Sequence, residues 1–296
     1  MTRTAVCVSV AMVAGGCGNV GRMSPVDGPP IDEPAVDGPT VDTESTLDAS
    51  TPDVQPTGPL GSRENPARGC AELKAAVAIA ASGVYWVRGP GGTSPQFEIY
   101  CEQQLNGGGW AMLENSVRRD DGLTTAFWQF DYADRLRERG TLAPDRNYYN
   151  GALYLIGKEY MDMFTDLQGT TAVAAVMSAS GIDPDTMQLT MPTFVMGNAD
   201  VFTRHFAAGW SANNYDGDTY ADDNCANLYG SVAQHYDHCW SYNLGVDGDA
   251  DANSSRLDSG VGPHVRNDVL AYLGLALQPD GGTFSQVKRI ARFTRW

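Results

Sequence analysis

The segment that decides the fold opens Cys70-Ala71-Glu72-Leu73-Lys74. It continues through Ser82-Gly83-Val84-Tyr85 and Phe97-Glu98-Ile99-Tyr100-Cys101 to Gly107-Gly108-Gly109-Trp110. Ala, Leu, Lys and Val dominate Ala71 to Ala81, and Gly83 follows, which predicts a helix over 71–81. Val84 to Arg88 and Phe97 to Cys101 alternate in polarity on either side of Gly89-Pro90-Gly91-Gly92, the signature of a β-hairpin. A disulfide from Cys70 to Cys101 would staple that helix to that hairpin. The three glycines would then let the backbone bend before a buried Trp110.

Working outward, Trp110 to Leu113 reads as another short strand, and Lys158 to Asp166 as a brief helix. Thr171 to Ala179, Met187 to Val195 and Gln286 to Trp296 read as strands. Beyond Trp210 the chain is rich in Asp, Asn, Gly and Tyr, a loop composition. The class is α+β with long loops, where binding residues concentrate.

On the N-terminal side the composition changes. Gly18 to Pro66 carries prolines at 25, 29, 30, 34, 39, 52, 56, 59 and 66, and nine acidic residues against Arg22 and Arg63. Val26-Asp27-Gly28-Pro29 recurs as Val36-Asp37-Gly38-Pro39. Such a stretch buries too little apolar surface to offset its ordering entropy, so residues 18–66 read as an extended linker. Residues 1–17 read as an export signal: Arg3, an apolar run from Ala5 to Ala14, then Ala14-Gly15-Gly16-Cys17. A small-small-Cys ending resembles the lipobox of bacterial lipoproteins, which makes Cys17 the expected lipidation site. Ordinary cleavage near Gly16 is the alternative. The expected location is a lipoprotein of the outer membrane or cell surface, or else a secreted protein. The domain then spans 67–296.

The formal net charge of −16 excludes nucleic acid as a partner, since non-specific affinity for phosphates comes from Lys and Arg. It also confines any membrane association to the lipid anchor. Six cysteines sort by position: Cys7 and Cys17 belong to the signal, and Cys70, Cys101, Cys225 and Cys239 are an even set in an exported chain. Three pairings are open, and proximity favours Cys70–Cys101 with Cys225–Cys239.

In order and spacing, the Cys70 to Trp110 motifs resemble the opening of fibrinogen-related domains. Those begin Cys-x-Glu-Leu/Ile, Ser-Gly-Val-Tyr, Tyr-Cys-Asp and Gly-Gly-Gly-Trp; here Glu102 replaces the Asp. Downstream, Asn224-Cys225-Ala226, Tyr229-Gly230, Tyr236, Cys239 and Asn243-Leu244-Gly245 are similar to a second block of that family. Trp240 stands where the family has His, and Gln234-His235 where two Trp are usual. Intelectins share the opening but carry a cysteine-rich middle that is missing here. The resemblance implies a fibrinogen C-terminal-like fold: mixed or antiparallel sheets, short helices, long calcium-binding loops and two disulfides.

The same resemblance implies calcium, held by two Asp at i and i+2 and two following carbonyls. Asp216 and Asp218 with Tyr220 and Asp222 supply that set, displaced by one residue; a solvated acidic turn is the other reading. Asp247, Asp249, Asp251 and Asp258 match positions of an EF-hand loop, but Ala252 stands where Gly is required, so an acidic surface loop is expected there. The implied ligand pocket lies beside the second disulfide and takes acetyl groups. Asn224, Cys225, Tyr229, His235, Tyr236 and Trp240 are the candidate lining, and the alternative is that these aromatics only fill space around the disulfide. Family members also often carry a cis peptide just before that cysteine.

No Gly-x-Ser-x-Gly elbow, His-Glu-x-x-His or phosphate loop occurs, and His235-x-x-His238-Cys239 with Cys225 is weak as a zinc set when exported cysteines pair. The expectation is a non-enzymatic, calcium-stabilised lectin or adhesin for glycans or acetylated surface polymers. The alternatives are a structural or protein-binding surface module and, more remotely, a secreted hydrolase.

Overall fold

The computed structural model describes residues 57–77, 79–92, 95–119, 123–207, 209–246, 262–278 and 282–296. The export signal, Cys17, most of the linker and the Asp247 to Asp258 loop lie outside the described residues. At the C-terminal end of the Pro-rich segment the Trp86 amide donates to the Gly61 carbonyl, and Leu60 packs on the core.

A nine-stranded antiparallel sheet organises the domain. Its strands are β1 (Gly83–Val87), β2 (Phe97–Glu102), β3 (Trp110–Val117), β4 (Glu138–Gly140), β5 (Tyr148–Asn150), β6 (Glu159–Thr165), β7 (Thr171–Ser178), β8 (Thr193–Gly197) and β9 (Arg289–Arg295). Along the sheet they run β1-β2-β3-β9-β6-β7-β8, with β5 pairing β3 and β4. The terminal strand β9 therefore sits in the centre, between β3 and β6. The helices are short: α1 (Cys70–Ala76), α2 (Leu123–Trp128), α3 (Ala199–Phe206), α4 (Cys225–Leu228) and α5 (Asn267–Tyr272). Among the described residues no helix is long and apolar enough to cross a membrane.

The hairpin and the Cys70–Cys101 bond form as expected. The helix over 71–81 is shorter, because Val77 adopts an extended backbone and ends α1. Behind it, the buried Gln103 amide donates to the Cys70 carbonyl at 3.3 Å and accepts from the Gly109 amide at 3.0 Å, which ties α1 to the glycine turn. Gly108 has φ 75°, and a Cβ there would meet the Gln103 carbonyl oxygen at 2.3 Å, so only glycine fits.

The helix expected over Lys158 to Asp166 is the central strand β6. Met161 and Met163 enter one core, with Trp110, Met112, Tyr148 and Phe293, while Tyr160 and Phe164 enter the other. With both faces covered, the strand shows no apolar–polar alternation, and its Lys, Glu and Met read as helix formers. The single strand expected over Met187 to Val195 is a short Leu189–Thr190 segment followed by β8. α3 begins at Asn198, whose side-chain oxygen accepts from the Asp200 and Val201 amides at 3.0 and 3.1 Å.

Candidate functional site

Glu114, Arg292 and Asp162 face one another in register on the adjacent strands β3, β9 and β6. All three are buried. The Arg292 guanidinium donates to both Asp162 oxygens, at 2.8 and 3.0 Å, and to the Tyr154 hydroxyl at 2.7 Å; it also bonds the Tyr242 hydroxyl. Burial holds the Glu114 carboxyl above the usual carboxylate range, with Asp162 adding to the effect against the pull of Arg292. Tyr154 donates to it at 2.7 Å.

Two histidines join this network to the loop region. The His235 Nε2–H donates to the Met187 carbonyl at 2.8 Å, and Nδ1 faces Arg292 at 3.2 Å as an acceptor. The His205 Nδ1–H donates to the His235 carbonyl at 3.0 Å, leaving Nε2 to accept from the Ser241 and Tyr242 amides at 3.0 and 3.2 Å. Gln234 spans the same loop, donating to the Tyr242 carbonyl and accepting from the Leu244 amide, each at 3.0 Å. Residues 234–244 are thus pinned from beneath.

These bonds require neutral imidazoles. Burial, reinforced by Arg292, pushes His235 down to about 3 and His205 well below its ordinary value. The unfolded chain gains these protons near pH 6.5, so the contribution to stability is complete above that pH. It is lost as pH falls toward the folded-state values, at up to about 1.4 kcal/mol per pH unit for each histidine. Urea melts at pH 7 and pH 5 should show the loss, and His235→Gln should flatten the slope. An unchanged slope would contradict the assignment.

On this support stands the Cys225–Cys239 disulfide, with Cα atoms 5.2 Å apart. Cys225, Ala226, Tyr236 and Trp240 form a small buried cluster, against which Tyr220, Tyr229, Cys239 and Phe284 pack half-buried. Tyr229 meets Trp240 edge-on at 5.3 Å between centroids, and Phe284 lies 4.5 Å from Trp240. Of the expected pocket residues, the structure gathers Cys225, Tyr229, Tyr236 and Trp240, but only Tyr229 is appreciably accessible. The Tyr236 hydroxyl donates inward to the Val232 carbonyl at 2.7 Å. His235 is a core residue of the Arg292 network and does not line the surface. Asn224 caps α4, accepting from the Ala226 amide at 2.8 Å and donating to the Ala212 carbonyl at 2.9 Å. Its bond to Cys225 is trans, contrary to the family habit.

The acidic loop leads into this cap. Asp218 accepts from the Cys225 and Tyr220 amides, each at 2.9 Å, and from the Ser211 hydroxyl at 3.1 Å. Burial, and the charge of Asp216 as a smaller cause, raise the Asp218 carboxyl above its usual range. Asp216 accepts from the Asp218 amide at 3.3 Å. Asp222 is exposed, and with Asp216 and Asp223 it lines an open polar concavity that includes Asn213, Asn214 and Asn227. Among the described residues no three His, Cys, Asp or Glu converge as a metal cluster. The loop therefore offers hard oxygen donors and a repelling carboxylate pair, which fits a hard cation in donor chemistry, without a preassembled three-carboxylate cage.

The sequence reading missed Glu114, Asp162, His205, Phe284 and Arg292. The detectable signal was a charge at the centre of an apolar strand: Asp162 between Met161 and Met163, and Arg292 between Ala291 and Phe293.

A disulfide-stapled α+β module with an aromatic and acidic loop surface is the class these features define. The C-terminal globular domain of fibrinogen beta and gamma chains matches residues 67–261. The fibrinogen alpha chain of Mus musculus is 25% identical over 206 residues, covering 62% of this chain and 24% of its own length. The fibrinogen-like globe domain of human ANGPTL6 has a TM-score of 0.53 at 26% identity, covering 78% of this chain and 96% of that one. The chain belongs to the fibrinogen C-terminal domain family. It is a non-enzymatic, ligand-binding or protein-binding module, and it spans about a quarter of the fibrinogen alpha chain it matches.

Proposed function

We propose that this domain is a calcium-stabilised lectin or adhesin that takes sugars or acetylated polymers at the aromatic edge beside Cys225–Cys239. The observation that carries the reading is the set of half-buried Tyr220, Tyr229 and Phe284 rings packed on the buried cluster around that disulfide, with Tyr229 and Phe284 against Trp240. Aromatic faces pack against the C–H faces of sugars while their polar rims hydrogen-bond. Glycans fit an acidic surface better than anionic polymers do.

Domains of this family often bind calcium. Asp216 and Asp218, with backbone carbonyls at Tyr220 and Asp222, would hold the ion here. A bound calcium ion would supply positive charge to a carboxylate pair whose mutual repulsion helps to raise the Asp218 carboxyl. Asp218 itself fixes the Cys225 and Tyr220 amides and so sets the entry to the disulfide loop.

Display would follow from lipidation at Cys17, with the Pro- and Asp-rich segment as a stalk; otherwise the chain is secreted. Two disulfides suit an oxidising, extracytoplasmic compartment. The rival reading, a protein-binding surface without a sugar pocket, is favoured by the burial of His235, Tyr236 and Trp240. A glycan array of the full chain, with calcium and with chelator, separates the two. The lectin reading expects glycan signals that the chelator removes; a blank array in calcium supports the rival.

A further inference from the structure

A second cavity, of about 220 Å3, lies away from the disulfide loop, between the tip of the β1–β2 hairpin and the short helix Gly151–Leu155. Pro90, Phe97, Ala152, Leu153 and Ile156 make its walls largely apolar, with Asn150 and Glu138 as the polar lining residues. Gly89 forms part of the lining with φ 74°, a left-handed backbone that glycine adopts without strain, and so it permits the turn that shapes one end of the slot.

Glu138, on β4, is the one ionisable residue lining this cavity among the described residues. Its carboxylate accepts from the buried Tyr148 hydroxyl at 2.9 Å, a bond that fixes its position without neutralising it. The two arginines next to it in sequence are engaged elsewhere. Arg137 pairs with Asp134 at 3.5 Å, and Arg139 lies over the Phe127 and Phe130 rings at 5.0 and 4.5 Å. Among the described residues Glu138 takes part in no ion pair, so a fixed negative charge stands at the rim of a largely apolar slot with an aromatic wall.

We propose that this slot binds an aliphatic primary ammonium group, the lysine side chain of a partner polypeptide being the size that fits. The methylene stem lies against Leu153, Ile156 and Pro90, where burial of apolar surface stabilises it. The ammonium meets Glu138, with the Phe97 ring as a second attractive surface. The acidic charge of the chain favours the approach of such a group.

Titration of the full chain with 1-aminopentane, 1-pentanol and pentanoate tests this, since none of the probes carries an acetyl group. The amine should bind saturably and about fivefold more tightly than the alcohol, with pentanoate weakest. Glu138→Gln, an exposed and isosteric change, should bring amine and alcohol to equal affinity. Ala152→Phe, which adds bulk at the lining, should abolish both, with thermal melts confirming that each variant is folded. The proposal is overturned if no probe saturates, if the parent binds amine no better than alcohol, or if Glu138→Gln keeps the preference. Binding unaffected by Ala152→Phe would overturn it too.

Discussion

Arg292→Met should destabilise the domain by about 3–5 kcal/mol, because it leaves the Asp162 carboxylate buried without its cation. The guanidinium makes two bonds to Asp162 and one each to Tyr154, Tyr242 and His235 Nδ1, and it stacks on Phe206 at 3.8 Å, so no other cation among the described residues pairs with Asp162. Glu114→Gln should be far milder, since burial already keeps that carboxyl inclined to hold its proton. Asp162→Asn should fall with Arg292→Met, as it strands the opposite charge. Urea denaturation of the three variants checks the order. Equal losses for Glu114→Gln and Arg292→Met would mean that the pair is not the centre of the network.

The double variant Cys225→Ser/Cys239→Ser should lose about 2–4 kcal/mol, the usual effect of opening a native disulfide. The sequence separation is 14, for which the chain-entropy part comes to about 3 kcal/mol. The surrounding packing adds to it: Tyr236 and Trp240 lose the sulfur atoms they are buried against. Denaturant melts give the loss. The variant should keep its Cys70–Cys101 bond in non-reducing peptide maps, and a crossed pairing in the parent would undo the assignment of both loops.

The hairpin, the glycine turn and both disulfides were legible because each depends on local signals. Glycine runs mark turns, β-alternation marks a strand with one covered face, and even cysteines in an exported chain pair nearby. The acidic loop was legible as chemistry, through Asp216 and Asp218, but not as geometry. Asp218 turned out to spend its oxygens on the Cys225 and Tyr220 amides. The central strands were the least legible. β6 is covered on both faces, so periodicity carried no information, and Arg292 reaches its partners across 130 residues of chain. His235 illustrates the same limit. From the sequence it stood in a pocket motif, yet its ring is committed to Met187 and Arg292, contacts that only the tertiary fold creates. Residues 57–66 share the linker's composition, and the bond from the Trp86 amide to the Gly61 carbonyl is a contact that composition does not display.

Calorimetric titration of the full chain with N-acetylglucosamine in calcium, for the parent, Tyr229→Ala and Asp218→Ala, tests the recognition surface most directly. Tyr229 is half-buried, so its replacement should leave the fold and calcium affinity intact while weakening the sugar by about tenfold. Asp218→Ala should lower calcium affinity and, through the loop into Asn224-Cys225, weaken the sugar as well. Saturable binding that Tyr229→Ala diminishes is the result expected. A parent that binds no N-acetylated sugar, or a Tyr229→Ala variant that binds it as the parent does, would contradict a sugar site beside Cys225–Cys239.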